Sequence, residues 1–154
     1  EPVPGEDIIW QPLYKDSLTV LMSTDHPLAG KEKIYLEELA NEKFLLGHLG
    51  YGMNSFFYDL CGRAGFRPDV RYEGYDSDLA GMLISIEHSV LLAYRSISAG
   101  VTAAGIHQPN SVAIPIADDI PLEIIGVSAK RGHFQSKAAL EFYERVIDFF
   151  SSLE

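Results

Sequence analysis

Short apolar runs alternate along this chain with segments whose apolar residues recur every three or four positions. A brief apolar run between turn residues predicts a buried strand, whereas the three-or-four spacing predicts one face of a helix. Strands and helices that alternate singly are typical of an α/β layer structure with a mostly parallel sheet. The predicted strands occupy residues 18–22, 44–46, 70–73, 90–93, 112–116 and 122–127.

Three longer helices are predicted between or after these strands. The first has Asn54 or Ser55 as its cap and Gly65 at its end, where a left-handed residue is favoured. The second follows the polar run 75–78, and the third follows Ser136. Their predicted inner faces are, in order, Met53, Phe56, Phe57, Leu60 and Ala64; Leu79, Met82, Leu83 and Ile86; and Ala139, Phe142, Tyr143, Val146 and Phe150.

Composition narrows the class of protein. The chain has 154 residues, of which 47% are apolar, enough for a packed core. Its net charge of −10, from 12 basic and 22 acidic residues, opposes binding to a phosphate backbone. No apolar stretch has the length of a membrane span, no secretory signal is visible at the start, and Cys61 has no partner for a disulfide. A cytoplasmic protein that does not bind DNA by itself is expected.

The tripeptide Asp25-His26-Pro27 follows the first predicted strand and raises the question of catalysis. Pro27 has a fixed φ and disfavours helical angles at His26, while Asp25 can accept bonds from nearby backbone donors. Both effects favour a turn. The sequence therefore predicts that His26 has a structural role.

No pattern of residues indicates metal binding or covalent chemistry. The other histidines have no metal-ligand spacing, and no Gly-x-Ser-x-Gly elbow precedes a helix. We therefore expect no catalytic residue, no metal and no cofactor, and a protein that is not an enzyme. A small hydrolase is the alternative from another class, because a spatial triad cannot be read from one sequence.

The strongest candidate for ligand binding is the glycine-bearing segment 47–53 between a predicted strand and a predicted helix. Such a loop leaves backbone N–H groups free at the positive end of the helix dipole, which suits a carboxylate or a phosphate. A tight turn without a ligand explains the same glycines equally well.

The chain contains, in this order, the segments PLYKDSLTVLMSTDHPLA, IYLEELANEKFLL, CGRAGFRPDVRYEGYDSD and VAIPIADDIPLEIIGVSAKRGHFQSKAALEFYERVIDFF. Their order and spacing, from about Trp10 to Phe150, resemble the effector-binding domain of LysR-type transcriptional regulators. The chain departs from that family at Glu87 and Ser89, where a Gly-x-Gly is usual, and at Tyr94, where a proline is usual.

The resemblance implies a periplasmic-binding-protein-like (type 2) fold with two lobes and mixed, mostly parallel sheets flanked by helices. Residues 1–17 are then expected to be a linker and an incomplete first-lobe segment, 18–94 the second lobe, and 95–154 the carboxy-terminal part of the first lobe. A helix-turn-helix, a linker helix and the first strands of the first lobe would precede Trp10. The chain is therefore expected to be a carboxy-terminal fragment.

The resemblance also implies a binding site, since effectors of this family lie between the lobes, walled by helix starts and the crossover strand. Two of the expected ligand residues, Asp76 and Ser77, have another explanation, since they would be present for helix capping alone. The residues expected to bind the ligand are Met22, Ser23, Thr24, His48, Gly50, Gly52, Met53, Tyr75, Asp76 and Ser77.

The implied function is sensing. A small-molecule effector, with an anion favoured, would stabilise one lobe arrangement, and the full protein would pass this on as a change in oligomer geometry on DNA. DNA would be bound only through the absent helix-turn-helix, and no membrane partner is expected. Self-association, most simply as a dimer, is expected because strands 112–116 and 122–127 would lack neighbours. The alternative is a solute-binding protein of a transport system.

Overall fold

A computed structural model describes residues 7–47, 53–74, 76–96, 110–131 and 136–152. Contacts divide the chain into two compact units. One unit comprises Glu1–Asp16 and Pro121–Glu154, and the other comprises Ser17–Ile120. We call them the small unit and the large unit.

The described elements are seven strands, three α-helices and one 3₁₀ turn at Leu36–Leu39. The large unit contains most of them. Their bounds are β1 Ile8–Asp16, β2 Leu18–Ser23, β3 Lys43–Gly47, α1 Met53–Arg63, β4 Asp69–Gly74, α2 Ser77–Glu87, β5 Val90–Tyr94, β6 Ser111–Pro115, β7 Glu123–Lys130 and α3 Lys137–Ser151.

The large unit contains a five-stranded sheet in the order β4-β3-β5-β2-β6. β3 is parallel to both β4 and β5, while β2 is antiparallel to its neighbours β5 and β6. Four strands therefore share one direction and β2 runs against them. This mixed sheet agrees with the predicted α/β class.

Alternating side chains of the sheet build two apolar layers, because successive residues of a strand point to opposite faces. Val20 and Met22 face the layer under α1 and the 3₁₀ turn, whereas Leu21 faces α2. The first layer is the larger, and in it Phe44 contacts the rings of Phe57 and Phe66. The large unit is thus a sheet packed between helices.

The small unit is an antiparallel pair of β1 and β7, with α3 against β1. Tyr14 stacks on Phe150 with ring centroids 5.1 Å apart. Gly126 lies against Trp10, whose ring atom Cε2 would be 2.7 Å from a Cβ at that position. No apolar side chain in the described part of this unit is buried.

The structure corrects two details of the helices. Asn54 and Ser55 lie inside α1, which begins at Met53, so neither is its cap. On α2 the face that packs on the sheet contains Ala80, Leu83 and Ile84. The predicted face was wrong except for Leu83, because apolar residues surround most of this helix and spacing does not select one side. The residues exposed instead are Leu79, Met82 and Ile86.

Two segments lie within the expected organisation as follows. Residues 8–16, expected to be linker and first-lobe segment, form the long strand β1. β6, from the range 95–154 that is expected to belong to the first lobe, pairs with β2 in the large unit. The division of the chain into lobes at residues 17 and 94 stays a prediction.

Candidate ligand-binding edge

One edge of the large unit's sheet collects the ends of several strands. Gly47 at the end of β3 is the register partner of Gly74 at the end of β4. β2 runs the other way, so its first residue, Leu18, pairs with Tyr94 at the end of β5. Ligands of open α/β sheets bind outside the carboxyl ends of the strands. We call this the carboxyl edge.

A polar bridge joins α1 to β4 at the carboxyl edge. The Asn54 side-chain amide, in the first turn of α1, donates a hydrogen bond to Oε1 of Glu73, near the end of β4. Because of this bond, the Glu73 carboxylate already has a donor within the chain. The bridge fixes the start of α1 beside the ends of β3 and β4.

Gly74, at the end of β4, leaves room for the side chain of Tyr72. Tyr72 folds back over Gly74, so a Cβ at Gly74 would lie 2.7 Å from Cζ of the Tyr72 ring. The Tyr72 hydroxyl oxygen accepts a hydrogen bond of 3.1 Å from the backbone N–H of Asp76. Gly74 therefore lets Tyr72 hold the residue that precedes α2.

Asp76 caps α2. Its Oδ1 accepts hydrogen bonds from the backbone N–H groups of Asp78, at 3.0 Å, and Leu79, at 2.9 Å. This carboxylate therefore occupies the positive end of α2. The first turn of α1 contains no acidic residue. The two helix starts at this edge therefore differ. α2 has carboxylates at its start, whereas α1 has none in its own first turn.

A small pocket opens at the carboxyl edge beneath the start of α1, with a cavity volume of about 30 Å³. It lies between α1 and strands β2, β3 and β5. Its lining residues are Leu18, Leu46, Gly47, Asn54, Phe56, Phe57, Leu60 and Leu92.

Arg95 brings a positive charge to the same edge. It directly follows β5, and its backbone N–H donates a 2.8 Å hydrogen bond to the carbonyl of Ser17, just before β2. Its side chain is exposed. Arginine is well suited to carboxylates because its planar guanidinium can donate two parallel hydrogen bonds.

The structure does not bring all of the predicted site residues together. Asp76 and the starts of α1 and α2, Met53 and Ser77, lie at the carboxyl edge. Met22, Ser23 and Thr24 lie at the opposite end of β2, roughly 17 Å away by strand rise. His48, Gly50, Gly52 and Tyr75 fall outside the described residues.

The three residues at the far end of β2 have local structural contacts. Met22 is in the core, and Ser23 is buried, with its Oγ accepting a bond from the backbone N–H of Asp25. Thr24 is exposed, and its backbone N–H donates to the carbonyl of Asn110. These contacts end the strand and begin the turn.

His26 holds that turn, as predicted. Its ring is buried, and Nδ1 accepts a 3.2 Å hydrogen bond from the backbone N–H of Leu28. The backbone N–H of His26 donates to the carbonyl of Ser23. Since Nδ1 is an acceptor, the proton of the neutral ring lies on Nε2.

Sequence reasoning missed the residues that build most of the edge. Leu18, Glu73 and Tyr72 were treated only as strand residues, and Asn54 only as a cap. The available signal was the pair of glycines that ends β3 and β4, followed in each case by a helix. Parallel strands that end together would have placed Asn54 near Glu73.

The described residues contain no group of three His, Cys, Asp or Glu side chains that could hold a metal ion. No helix in the described ranges is both long enough and apolar enough to cross a membrane.

Comparison with known proteins identifies the family. The model of the LysR substrate binding domain matches residues 1–151. The chain belongs to this family. The transcriptional dual regulator GltC of Bacillus subtilis (strain 168) is 33% identical over 155 residues, which cover 99% of this chain and 50% of GltC. This LysR domain thus spans about half the length of that relative.

Solved structures show the same fold. The effector-binding domain of QuiR in complex with shikimate superposes with a TM-score of 0.72 at 18% identity, covering 97% of this chain and 69% of that one. The BenM effector-binding domain with benzoate gives a TM-score of 0.73 at 20% identity, covering 99% and 67%. These matches agree with the predicted periplasmic-binding-protein-like fold of the LysR domain.

Proposed function

We propose that this LysR domain senses a small carboxylate effector that binds at the carboxyl edge. The observation that carries the proposal is the convergence of the ends of β3 and β4, the start of α1 and Arg95 at that edge of one sheet. The ligand would contact the edge through backbone N–H groups at the start of α1 and through the Arg95 guanidinium. Met22, Ser23 and Thr24 are left out because they lie at the opposite end of β2.

Two groups at the edge suit an anion even though the whole chain is acidic: the start of α1 and the guanidinium of Arg95. Glu73 accepts from Asn54, and Asp76 accepts from two backbone N–H groups of α2. Each carboxylate thus has donors within the chain. The start of α1 has a dipole that favours negative charge, and Arg95 adds a full positive charge. A carboxylate matches both groups.

The solved relatives support the same class of ligand. QuiR was solved with shikimate and BenM with benzoate, and both molecules carry one carboxylate. The sequences of those proteins differ greatly from this chain. The shared fold therefore supports a small carboxylate as the class of effector without identifying the molecule.

Within a whole regulator, the domain would bias transcription and would catalyse no reaction. Its net charge of −10 makes contact with DNA through this domain unfavourable, so DNA binding is assigned to another part of the protein, which would work in the cytoplasm. Effector binding would favour one conformation by its differential affinity. That change would reach DNA through the geometry of an oligomer.

The exposed side of α2 supports self-association. Leu79, Met82 and Ile86 are spaced by three and four residues and are exposed by 37%, 58% and 70%. Residues with that spacing form one stripe along a helix. We infer that a second copy of the chain covers this stripe, with a dimer as the simplest product.

Thermal-shift measurements with a panel of small carboxylates and matched uncharged amides test the proposed function. We expect carboxylates to raise the melting temperature, and Arg95→Gln to weaken that effect. Arg67→Gln is the matched control, because Arg67 lies just before the start of β4, away from the carboxyl edge. If no carboxylate stabilises the domain, or if both variants respond like the unmodified chain, the proposed site is wrong.

A further inference from the structure

The pocket at the carboxyl edge has an apolar floor. Leu46, Phe57, Leu60 and Leu92 line it, and each of them is buried, with 4–8% of its surface exposed. These side chains come from β3, α1 and β5 and belong to the larger core layer. The pocket is therefore an opening into the apolar layer between α1 and the sheet.

The mouth of the pocket differs from its floor. Asn54 is the lining residue with a polar side chain, and its amide already donates to Glu73. A polar group that entered the pocket would lose its water and find few partners, which disfavours its transfer. An apolar group would lose nothing comparable and would gain contacts with the floor.

The size of the pocket restricts what enters it. Its cavity volume of about 30 Å³ is room for roughly two or three water-sized groups. A short aliphatic chain fits this volume. The charged end of the same molecule would then remain outside, at the start of α1.

We propose that the pocket binds a short aliphatic tail of the effector, so that the ligand of this domain is an amphipathic carboxylate instead of a fully polar acid. The inference rests on the proposed function, because the carboxylate is placed at the carboxyl edge. It adds the part of the ligand that would select among carboxylates. Leu18 and Phe56, both half-buried, form the walls that the tail contacts.

Affinities for acetate, propionate, butyrate and hexanoate, measured by NMR titration of the full chain, test this inference. Each methylene that becomes buried should tighten binding about fourfold, which corresponds to the ~0.8 kcal/mol of a buried methylene. The gain should stop when the pocket is full. Succinate, which ends in a second carboxylate, should bind more weakly than butyrate.

Two variants test whether the gain in affinity with chain length comes from the pocket. Leu18→Phe narrows it and should abolish the advantage of butyrate over acetate while acetate still binds. Leu28→Phe is the matched control, since Leu28 is half-buried against the same core beyond the other end of β2. If Leu18→Phe does not fold, Phe56→Leu replaces it, and the larger pocket should move the best ligand to a longer chain.

The outcomes separate this inference from the proposed function. If affinity is the same across the series and in the variants, the pocket does not bind a tail, although carboxylate sensing would stand. 1-Butanol tests tail binding separately from carboxylate binding, because it has the aliphatic tail without the charge. Shifts at the amides of Leu18 and Phe56 with butanol, together with no binding of any carboxylate, would refute the proposed function and the amphipathic ligand with it.

Discussion

Nε2 of His26 lies 3.2 Å from Oε2 of Glu42, and the two residues join the turn after β2 to the segment before β3. The side chain of His26 is 1% exposed, so its ring is shielded from water, whereas the Glu42 carboxylate remains partly exposed. Nδ1 accepts from Leu28. Both ring nitrogens therefore have partners, and the contacts of His26 are structural.

Replacing His26 should destabilise the domain. We expect His26→Ala to lower the free energy of unfolding by about 1–3 kcal/mol, because the Leu28 N–H loses its acceptor and the packing of the buried ring is lost. His26→Asn should recover part of that loss, since its side-chain oxygen can accept from Leu28. Urea unfolding measures both. Equal stabilities of the unmodified chain and His26→Ala would contradict the structural role.

A side chain at Gly74 should displace the ring of Tyr72. A methyl group there would collide with the Tyr72 ring, which holds the N–H of Asp76. We expect Gly74→Ala to cost about 0.5–1.5 kcal/mol in unfolding free energy, because the displaced Tyr72 hydroxyl loses its hydrogen bond from the N–H of Asp76. Gly62→Ala is the control: Gly62 is in α1 with nothing within 4 Å, so alanine should stabilise the helix by up to about 1 kcal/mol. A loss at Gly62 comparable to that at Gly74 would argue against this account.

The stabilising effect of Asp76 should come from its capping hydrogen bonds and not from its negative charge. Asp76→Ala should destabilise the chain by about 0.5–2 kcal/mol, because the N–H groups of Asp78 and Leu79 lose their acceptor. Asp76→Ser retains an acceptor and should restore most of the stability. Thermal unfolding compares them. If serine is as damaging as alanine, the stabilising effect of Asp76 does not come from capping.

Cys61 should be unreactive while the chain is folded. Its side chain is in the core, and burial raises the pKa of the thiol from 9.0 to about 11. The folded state therefore disfavours the thiolate, so stability is unaffected below pH 9 and falls as the pH rises from 9 towards 11. A thiol reagent should label Cys61 at pH 8 only on unfolding. Fast labelling of the folded chain would contradict its burial.

The exposed stripe of α2 gives a prediction about assembly. Met82→Lys should shift the chain towards monomer in sedimentation experiments, because a charge would be desolvated in the contact. Ser85→Lys is the matched control, since Ser85 is on α2 and exposed but is not one of the three stripe residues. Unchanged association in Met82→Lys would remove α2 from the interface.

The sequence predicted the elements of the large unit well because its apolar runs are short and bounded by turn residues. Residues 18–22 and 90–93 were predicted within one residue of β2 and β5, and Gly65 ends the α1 region with a φ of 86°. Local signals of this kind depend on neighbours in the chain. They do not require knowledge of the sheet order.

The candidate site was harder to predict because it depends on strand direction. Ser23 and Asp76 were grouped through a family resemblance, yet β2 runs against β4, so its end lies at the opposite edge. The prediction of the inner face of α2 was wrong for a related reason. Its apolar residues extend round the helix, and only the sheet decides which of them is buried.

Amide NMR of the ¹⁵N-labelled chain, titrated with the carboxylate that gives the largest thermal shift, tests most sharply whether the ligand binds at the carboxyl edge. We expect the amide signals that change to belong to the carboxyl edge, including Leu18, Asn54 and Asp76, while those of Ser23 and Thr24 stay unchanged. Changes centred on Ser23 and Thr24, with the carboxyl edge silent, would contradict this expectation.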